Sequence, residues 1–266
     1  MNAVALNLMP TMREPMRLGR VLLAYLVEAK FESLRLLRSP IFFVPFMILP
    51  IGLFLLLSVV IPAPPNTTPQ AFGNFFYAAF ATFAVLGPSL FAVGCPIAAE
   101  RDQGLLNLKR ALPAPPGSYL ISKVLMQFAF STFGATSVAV AAVLIHRTTL
   151  APAQLIAFTA VLVVGTIPFC AIGLFIGTHT SASAAPGITN CLFFPMVYLS
   201  GMFFPLPKSL ASWAVIWPTF HLDQVAFAAA GLTQLRFFPP LWSAAVLVGV
   251  TVLFGGLALR RLARVG

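Results

Sequence analysis

Metal or acid–base chemistry needs His, Cys, Asp or Glu at close spacing, and the 266-residue sequence holds only three His, three Cys and six Asp+Glu. His221-Leu222-Asp223 sets an imidazole two residues from a carboxylate. Such a lone pair in a loop offers too few ligands for a stable metal site. His146 and His179 stand singly, and no HExxH, GxSxG or paired carboxylate occurs within an apolar run. Cys95, Cys170 and Cys191 are odd in number, lack metal-ligand spacing and each lie in an apolar stretch, which reads as buried structural thiols. The densest chemistry is Glu100-Arg101-Asp102-Gln103-Gly104-Leu105-Leu106-Asn107-Leu108-Lys109-Arg110-Ala111-Leu112-Pro113. Charged at its start, amphipathic after Gly104 and stopped by Pro113, it predicts a short helix sized to dock in a cleft of a soluble partner.

The elements around that segment are set by composition. Apolar residues make up 59% of the chain and charged ones 8%, and mean hydropathy is +0.96. Soluble domains carry about 25% charged residues, so a water-soluble fold is excluded. Crossing ~30 Å of hydrocarbon takes ~20 apolar residues. Six uncharged runs qualify: Ile41 to Ile61, Phe72 to Ala98, Val124 to Ile145, Ala153 to Gly177, Ala184 to Phe204 and Pro240 to Leu259. The predicted fold is an all-α membrane protein of six transmembrane helices, residues 41–266, behind an N-terminal segment 1–40. Between the fifth and sixth runs, Pro205, Pro207, Lys208, Pro218, His221 and Asp223 cut the chain into pieces too short to span. They predict short helices at, or dipping into, the outer interface, with Trp213 and Trp217 as belt residues.

Net charge is +10, from sixteen Lys+Arg against six Asp+Glu. In a soluble protein that excess would suggest nucleic acid; here it flanks apolar runs and reads as topogenic, facing lipid headgroups, with no nucleic-acid partner. With the N-terminus inside, thirteen of the sixteen basic residues fall on the inner side and only Arg147, Lys208 and Arg236 outside. Both termini are therefore expected in the cytoplasm of a multi-pass plasma-membrane (bacterial inner-membrane) protein. No cleavable signal peptide is expected, since forty residues precede a first run long enough to span.

Ahead of the first run, a 100° wheel places Arg17, Arg20, Glu28, Glu32, Arg35 and Arg38 on one face. Leu18, Leu22, Tyr25, Leu26, Leu34, Leu36 and Leu37 fall on the other. This predicts an interfacial helix lying apolar face down on the inner leaflet, with Lys30 and Phe31 as misfits, until Ser39-Pro40 turns the chain into the membrane. None of the six runs contains Asp, Glu, Lys, Arg or His, which argues against carriers driven through intramembrane charges. Pro45, Pro50, Pro88, Pro96, Pro168 and Pro195 predict kinks, and Gly173 with Gly177 forms a GxxxG pair for close helix approach.

The segment from Glu100 resembles the corresponding loop of ABC-2 type (type V) ABC exporter permeases, typically E-R-E-x-G-T-L-x-x-L-L-x-T-P with a Lys before the third span. Glu100, Arg101, Asp102, Gly104, Leu106, Pro113 and Lys123 fall at matching positions, while Leu105, Lys109, Arg110 and Leu112 depart from the pattern. Tyr198-Leu199-Ser200-Gly201-Met202-Phe203-Phe204-Pro205-Leu206, followed by Trp213, Trp217 and Pro218, is similar to that family's end of span five and its outer re-entrant helices. The resemblance covers nearly the whole chain. It implies a permease subunit that moves a lipophilic or amphipathic cargo, of drug, antibiotic or glycolipid type. Glu100 to Leu112, including Leu108, would be its coupling helix, and Arg17 to Arg38 its bracing interfacial helix. It also implies a second permease, identical or paralogous, and a separate ABC ATPase that binds ATP and Mg. The chain itself has no GxxxxGK[ST] loop, so it is expected to need no cofactor and to hydrolyse nothing. The competing reading is a membrane scaffold or assembly protein without transport.

Overall fold

The computed structural model describes residues 18–65, 67–111, 117–203 and 211–265, and among these every regular element is helical. Helix α1 (Leu18–Leu37) is separated from the next helix by Arg38 and Ser39. Ser39 is extended, and Pro40 at the first helical turn cannot continue α1 but is preorganised to start a new helix. The first span is α2 (Pro40–Phe43), a π-turn at Val44–Ile48 and α3 (Leu49–Val60). Pro45 and Pro50 each remove a backbone donor, and the hydrogen-bond register slips to the wider π pattern between them.

Helix α4 (Pro69–Asp102) is capped by the Thr68 hydroxyl, which accepts from the Ala71 amide. Its 34 residues rise ~51 Å, so it exceeds the predicted run at both ends and carries Glu100, Arg101 and Asp102 past the hydrocarbon. Gly104 at φ +72° turns the chain into α5 (Leu105–Ala111), a left-handed conformation open to glycine without steric cost. Pro113, the expected stop, lies outside the described residues. Helix α6 (Ser118–Leu144) begins six residues before the predicted third run and thereby includes Tyr119 and Lys123.

Two of the runs are not single continuous helices. The fourth run is two consecutive helices, α7 (Pro152–Val164) and α8 (Ile167–His179), broken at Gly165-Thr166, where Pro168 starts the second. The fifth run, expected from Ala184 to Phe204, is helical only in α9 (Ala185–Tyr198). Fourteen residues rise ~21 Å, short of the ~30 Å core. Gly201 at φ +78° follows in a turn. Among the described residues, five segments are long and apolar enough to cross: Pro40–Val60, Pro69–Asp102, Ser118–Leu144, Pro152–His179 and one in the last helix. Then come α10 (Ala211–Ala214), α11 (Pro218–Ala229), a 3-10 turn at Thr233–Leu235 and α12 (Pro240–Val265).

Helix α4 is the axis of the bundle, buried along most of its length against α3, α6, α8 and α9. Small residues make this possible. A Cβ on Gly94 would stand 2.8 Å from the Gly173 carbonyl oxygen, and one on Gly177 would stand 2.5 Å from that of Gly94. Only glycine lets α4 and α8 approach this closely, so the GxxxG pair is used as its spacing suggests. Polar contacts add to the grip between α4 and α6: the Gln127 amide lies 2.9 Å and 2.8 Å from the hydroxyls of Ser89 and Ser131.

Candidate functional site

Four helices meet where α4 leaves the bundle, and each brings charge. Glu28, Glu32 and Arg35 stand at i, i+4 and i+7 of α1, hence on one face. Glu100 ends α4, Lys109 lies on α5, and Tyr119 and Lys123 open α6. Glu100 is the hub. Its carboxylate accepts from Arg35 Nη1 at 2.7 Å, Tyr119 Oη at 2.7 Å and Lys123 Nζ at 3.4 Å, with Lys109 Nζ at 3.6 Å. Glu32 is the second anchor, bound by Lys109 Nζ at 2.9 Å, Arg35 Nη2 at 2.9 Å and Lys123 Nζ at 3.1 Å. Glu28 sits 3.8 Å from Lys109. Both lysine ammonium groups also lie over the Tyr119 ring, at 4.6 Å and 5.1 Å, within cation–π range.

This clasp is interior rather than superficial. Glu32, Glu100 and Lys123 have side-chain exposures of 7%, 3% and 2%. Burial alone would raise the Glu32 pKa, but Lys123, the Lys109 hydrogen bond and Arg35 together outweigh it and hold the carboxyl below its ordinary value. Exposed ion pairs contribute ~0–1 kcal/mol. A buried cluster behaves differently, because removing one member strands its partners without solvent at a cost of ~3–5 kcal/mol.

A second lock lies beside the first. Arg101 donates to the carbonyl oxygens of Thr178 and Thr180 at 2.6 Å each, and to that of Gly177 at 3.4 Å. These are carbonyls at the C-terminal end of α8, where a cation satisfies free acceptors and the negative pole of the helix dipole. Asp102 pairs with Arg101 at 2.8 Å and accepts from the Ala182 amide at 2.7 Å. Neighbouring residues of one motif thus hold different parts of the molecule: Glu100 binds α1, α5 and α6, while Arg101 and Asp102 bind the α8–α9 connection.

The remaining predicted residues divide clearly. Leu106 is buried and Leu108 is exposed, so α5 is anchored on one side and bare on the other. Arg20 and Arg38 are exposed on α1, and Arg17 lies outside the described residues. On α1, Glu32 is buried and Glu28 half-buried against the clasp, Arg35 stays exposed at its edge, and Leu36 packs with Phe42, Met47, Met126 and Phe130. Far from the clasp, at the other end of α4, Gly201, Trp217 and Pro218 flank the connection into α11, and Trp213 is exposed. Phe204 and Pro205 lie outside the described residues. The two predicted residue sets therefore form two separate places.

Lys109 and Tyr119 were not expected at the site. Lys109 is one of the four residues by which the segment departs from the family pattern, and the structure makes it a clasp member. Tyr119 carried no signal in the sequence, since nothing local tells that the first turn of α6 faces Glu100. His221 and Asp223 diverge: the imidazole lies against Ser243 and the Val215 carbonyl, and Asp223 accepts from Thr82 at 2.6 Å. Among the described residues no group of three His, Cys, Asp or Glu could hold a metal. The C-terminal end of α4 therefore presents a mechanical joint: a bare-faced helix whose base is charge-locked to three others.

Comparison with known proteins agrees with this architecture. The sequence profile of the family described as ABC-2 type transporter matches residues 24–237. A Bacillus subtilis (strain 168) protein, "Putative transport permease YvfS", is 25% identical over 228 residues, covering 84% of this chain and 90% of that one.

Proposed function

Because the chain belongs to the ABC-2 type transporter family, we propose that it is the permease subunit of an ATP-driven exporter, powered by a separate ABC ATPase that docks on α5. The clasp is the observation that carries this reading. A seven-residue helix exposed on one side and charge-locked to α1, α4 and α6 on the other moves those helices whenever a partner moves it. Glu100, Arg101, Asp102, Gly104, Leu106 and Leu108, with Pro113 beyond the described residues, are its coupling segment. Helix α1 braces the segment through Glu32 and Arg35. A second permease, identical or paralogous, completes a path between the two copies. The uncharged, Phe-rich and Met-rich faces suit a lipophilic or amphipathic cargo of drug or glycolipid type.

Six crossings with both termini cytoplasmic, in a bacterial plasma membrane, complete the reading. Support for the sixth crossing comes from how far the α9 segment climbs along α4. At one end Asp102 binds the Ala182 amide; at the other, the Phe203 ring lies 5.0 Å from that of Phe80. The α4 stretch from Phe80 to Asp102 rises ~33 Å, enough to traverse the hydrocarbon although α9 itself is short. The chain then returns through α11, where Gln154 at the start of α7 donates to the Ala230 carbonyl at 2.8 Å. This fits short helices dipping in from the outer surface.

Single-cysteine labelling tests the topology. With the native cysteines replaced, a membrane-impermeant maleimide is expected to reach Ser212→Cys only from outside cells and Asn107→Cys only from inside. Both native side chains are exposed. The reverse pattern would overturn the orientation and remove α5 from reach of any cytoplasmic ATPase.

A further inference from the structure

Helix α1 sorts its charges. The acids Glu28 and Glu32 turn inward to the clasp. Arg20, Lys30 and Arg38 are exposed and form no ion pair among the described residues. Around them the outward face is apolar and bare: Leu22, Leu23, Leu26, Val27, Phe31 and Leu37 are all exposed. Lys30 is central to this face rather than at its edge. Leu26 and Leu34 stand four residues to either side of it, and Leu23 and Leu37 seven residues, all on its own stripe of the helix. Arg20, Phe31 and Arg38 make a neighbouring row.

That pattern suits few surroundings. A protein surface packed on the stripe would strand the Lys30 ammonium, and plain hydrocarbon would do so at greater cost. A phospholipid surface accommodates both parts: leucines enter the acyl boundary while the lysine stem lies along it and its ammonium reaches the phosphate level. Placement at that level follows from the chain, since two residues separate α1 from a membrane span. With three cations and, among the described residues, no acid on this face, the complementary leaflet is anionic.

We propose that the outward face of α1 is a docking surface for anionic phospholipid headgroups, with Lys30 contacting a headgroup phosphate from within the leucine stripe and Arg20 and Arg38 flanking it. Seating α1 on a charged leaflet fixes Glu32 and Arg35, and so the clasp, relative to the membrane plane. The inference needs only that the chain is a membrane protein and stands apart from what it transports.

Lipid retention tests it. The full-length protein is purified from vesicles of equal phosphatidylglycerol and phosphatidylcholine, and co-retained lipid is counted by mass spectrometry. The parent protein is expected to retain phosphatidylglycerol preferentially. Lys30→Ala and Arg38→Ala are each expected to lower that preference about fivefold, as ~1 kcal/mol per surface cation implies, while Lys30→Arg keeps it. The proposal is overturned if the double alanine variant retains the parental ratio. It is equally overturned if Arg236→Ala, at the far end of the molecule, lowers the ratio as much. Because the count involves no transport, either result leaves the permease reading untouched.

Discussion

Reconstituted with its ATPase, Glu100→Ala is expected to insert at parental levels yet lose at least tenfold of its transport-linked ATP turnover, and Gly104→Pro is expected to do the same by a different route. Glu100 is where cations from α1 and α6 and the Tyr119 hydroxyl converge. Its removal leaves Arg35 and Lys123 facing each other with half their compensation. At ~3–5 kcal/mol for a broken buried cluster, the clasped arrangement loses about two to four orders of magnitude in population, far more than tenfold coupling needs. Gly104 carries no charge, but its φ of +72° is closed to proline, whose ring fixes φ near −65°. The substitution re-aims α5 while every clasp side chain remains. Loss in one variant by charge and in the other by geometry would locate the defect in the joint. Undiminished, cargo-stimulated turnover in both would refute the coupling role.

Stability should respond most strongly at Lys123. Replacing it with methionine keeps the stem volume and leaves Glu32 and Glu100 without their shared ammonium, which stands 3.1 Å and 3.4 Å from the two carboxylates. The expected loss of ~3–5 kcal/mol lowers the thermal midpoint in detergent by about 10 °C, given ~2–4 °C per kcal/mol for chains near this size. Adding Glu32→Gln should restore part of it, because one stranded charge is then gone. A double variant no more stable than Lys123→Met alone would show that the pair is not energetically linked. Acid gives the same reading from another side. The Glu32 carboxyl is held below its ordinary value, so its contribution is present above the ordinary carboxylate pKa and is lost only as pH falls through the lower folded value. The parental midpoint should stay flat from pH 8 to pH 5. In Lys123→Met, burial is opposed by fewer cations, so the folded value moves back toward the ordinary one and the loss in acid should be smaller than in the parent.

Much of the architecture was legible because the membrane enforces it. Uncharged runs of spanning length and the short charged helix after Glu100 both follow from the cost of bringing polar groups into hydrocarbon. Hydropathy does not show where a helix stops, however. The fifth run is apolar through Phe204, but helix α9 ends at Tyr198, before the left-handed Gly201. Gly165-Thr166 likewise breaks the fourth run without interrupting its apolar character.

The site was half legible. Glu100, Arg101 and Asp102 stood out by charge, and their division between two locks did not, since adjacent helical residues point about 100° apart toward neighbours the sequence does not specify. The wheel for α1 separated polar from apolar but did not show that Glu28 and Glu32 meet cations from α5 and α6. A buried charge cluster looks the same as a solvated face until its partners from α4, α5 and α6 are in place. Lys109 shows this most plainly, for it diverges from the family pattern yet bridges α5 to Glu32 at 2.9 Å.

All of this rests on energy entering from a second protein through α5. The most direct measurement compares vesicles holding the purified chain alone with vesicles that also hold its ATPase, following ATP hydrolysis and solute movement together. Neither is expected from the chain alone, and both are expected, nucleotide-dependent and lost in Glu100→Ala, once the ATPase is present. Solute movement by the purified chain with no nucleotide and no second protein would contradict the account.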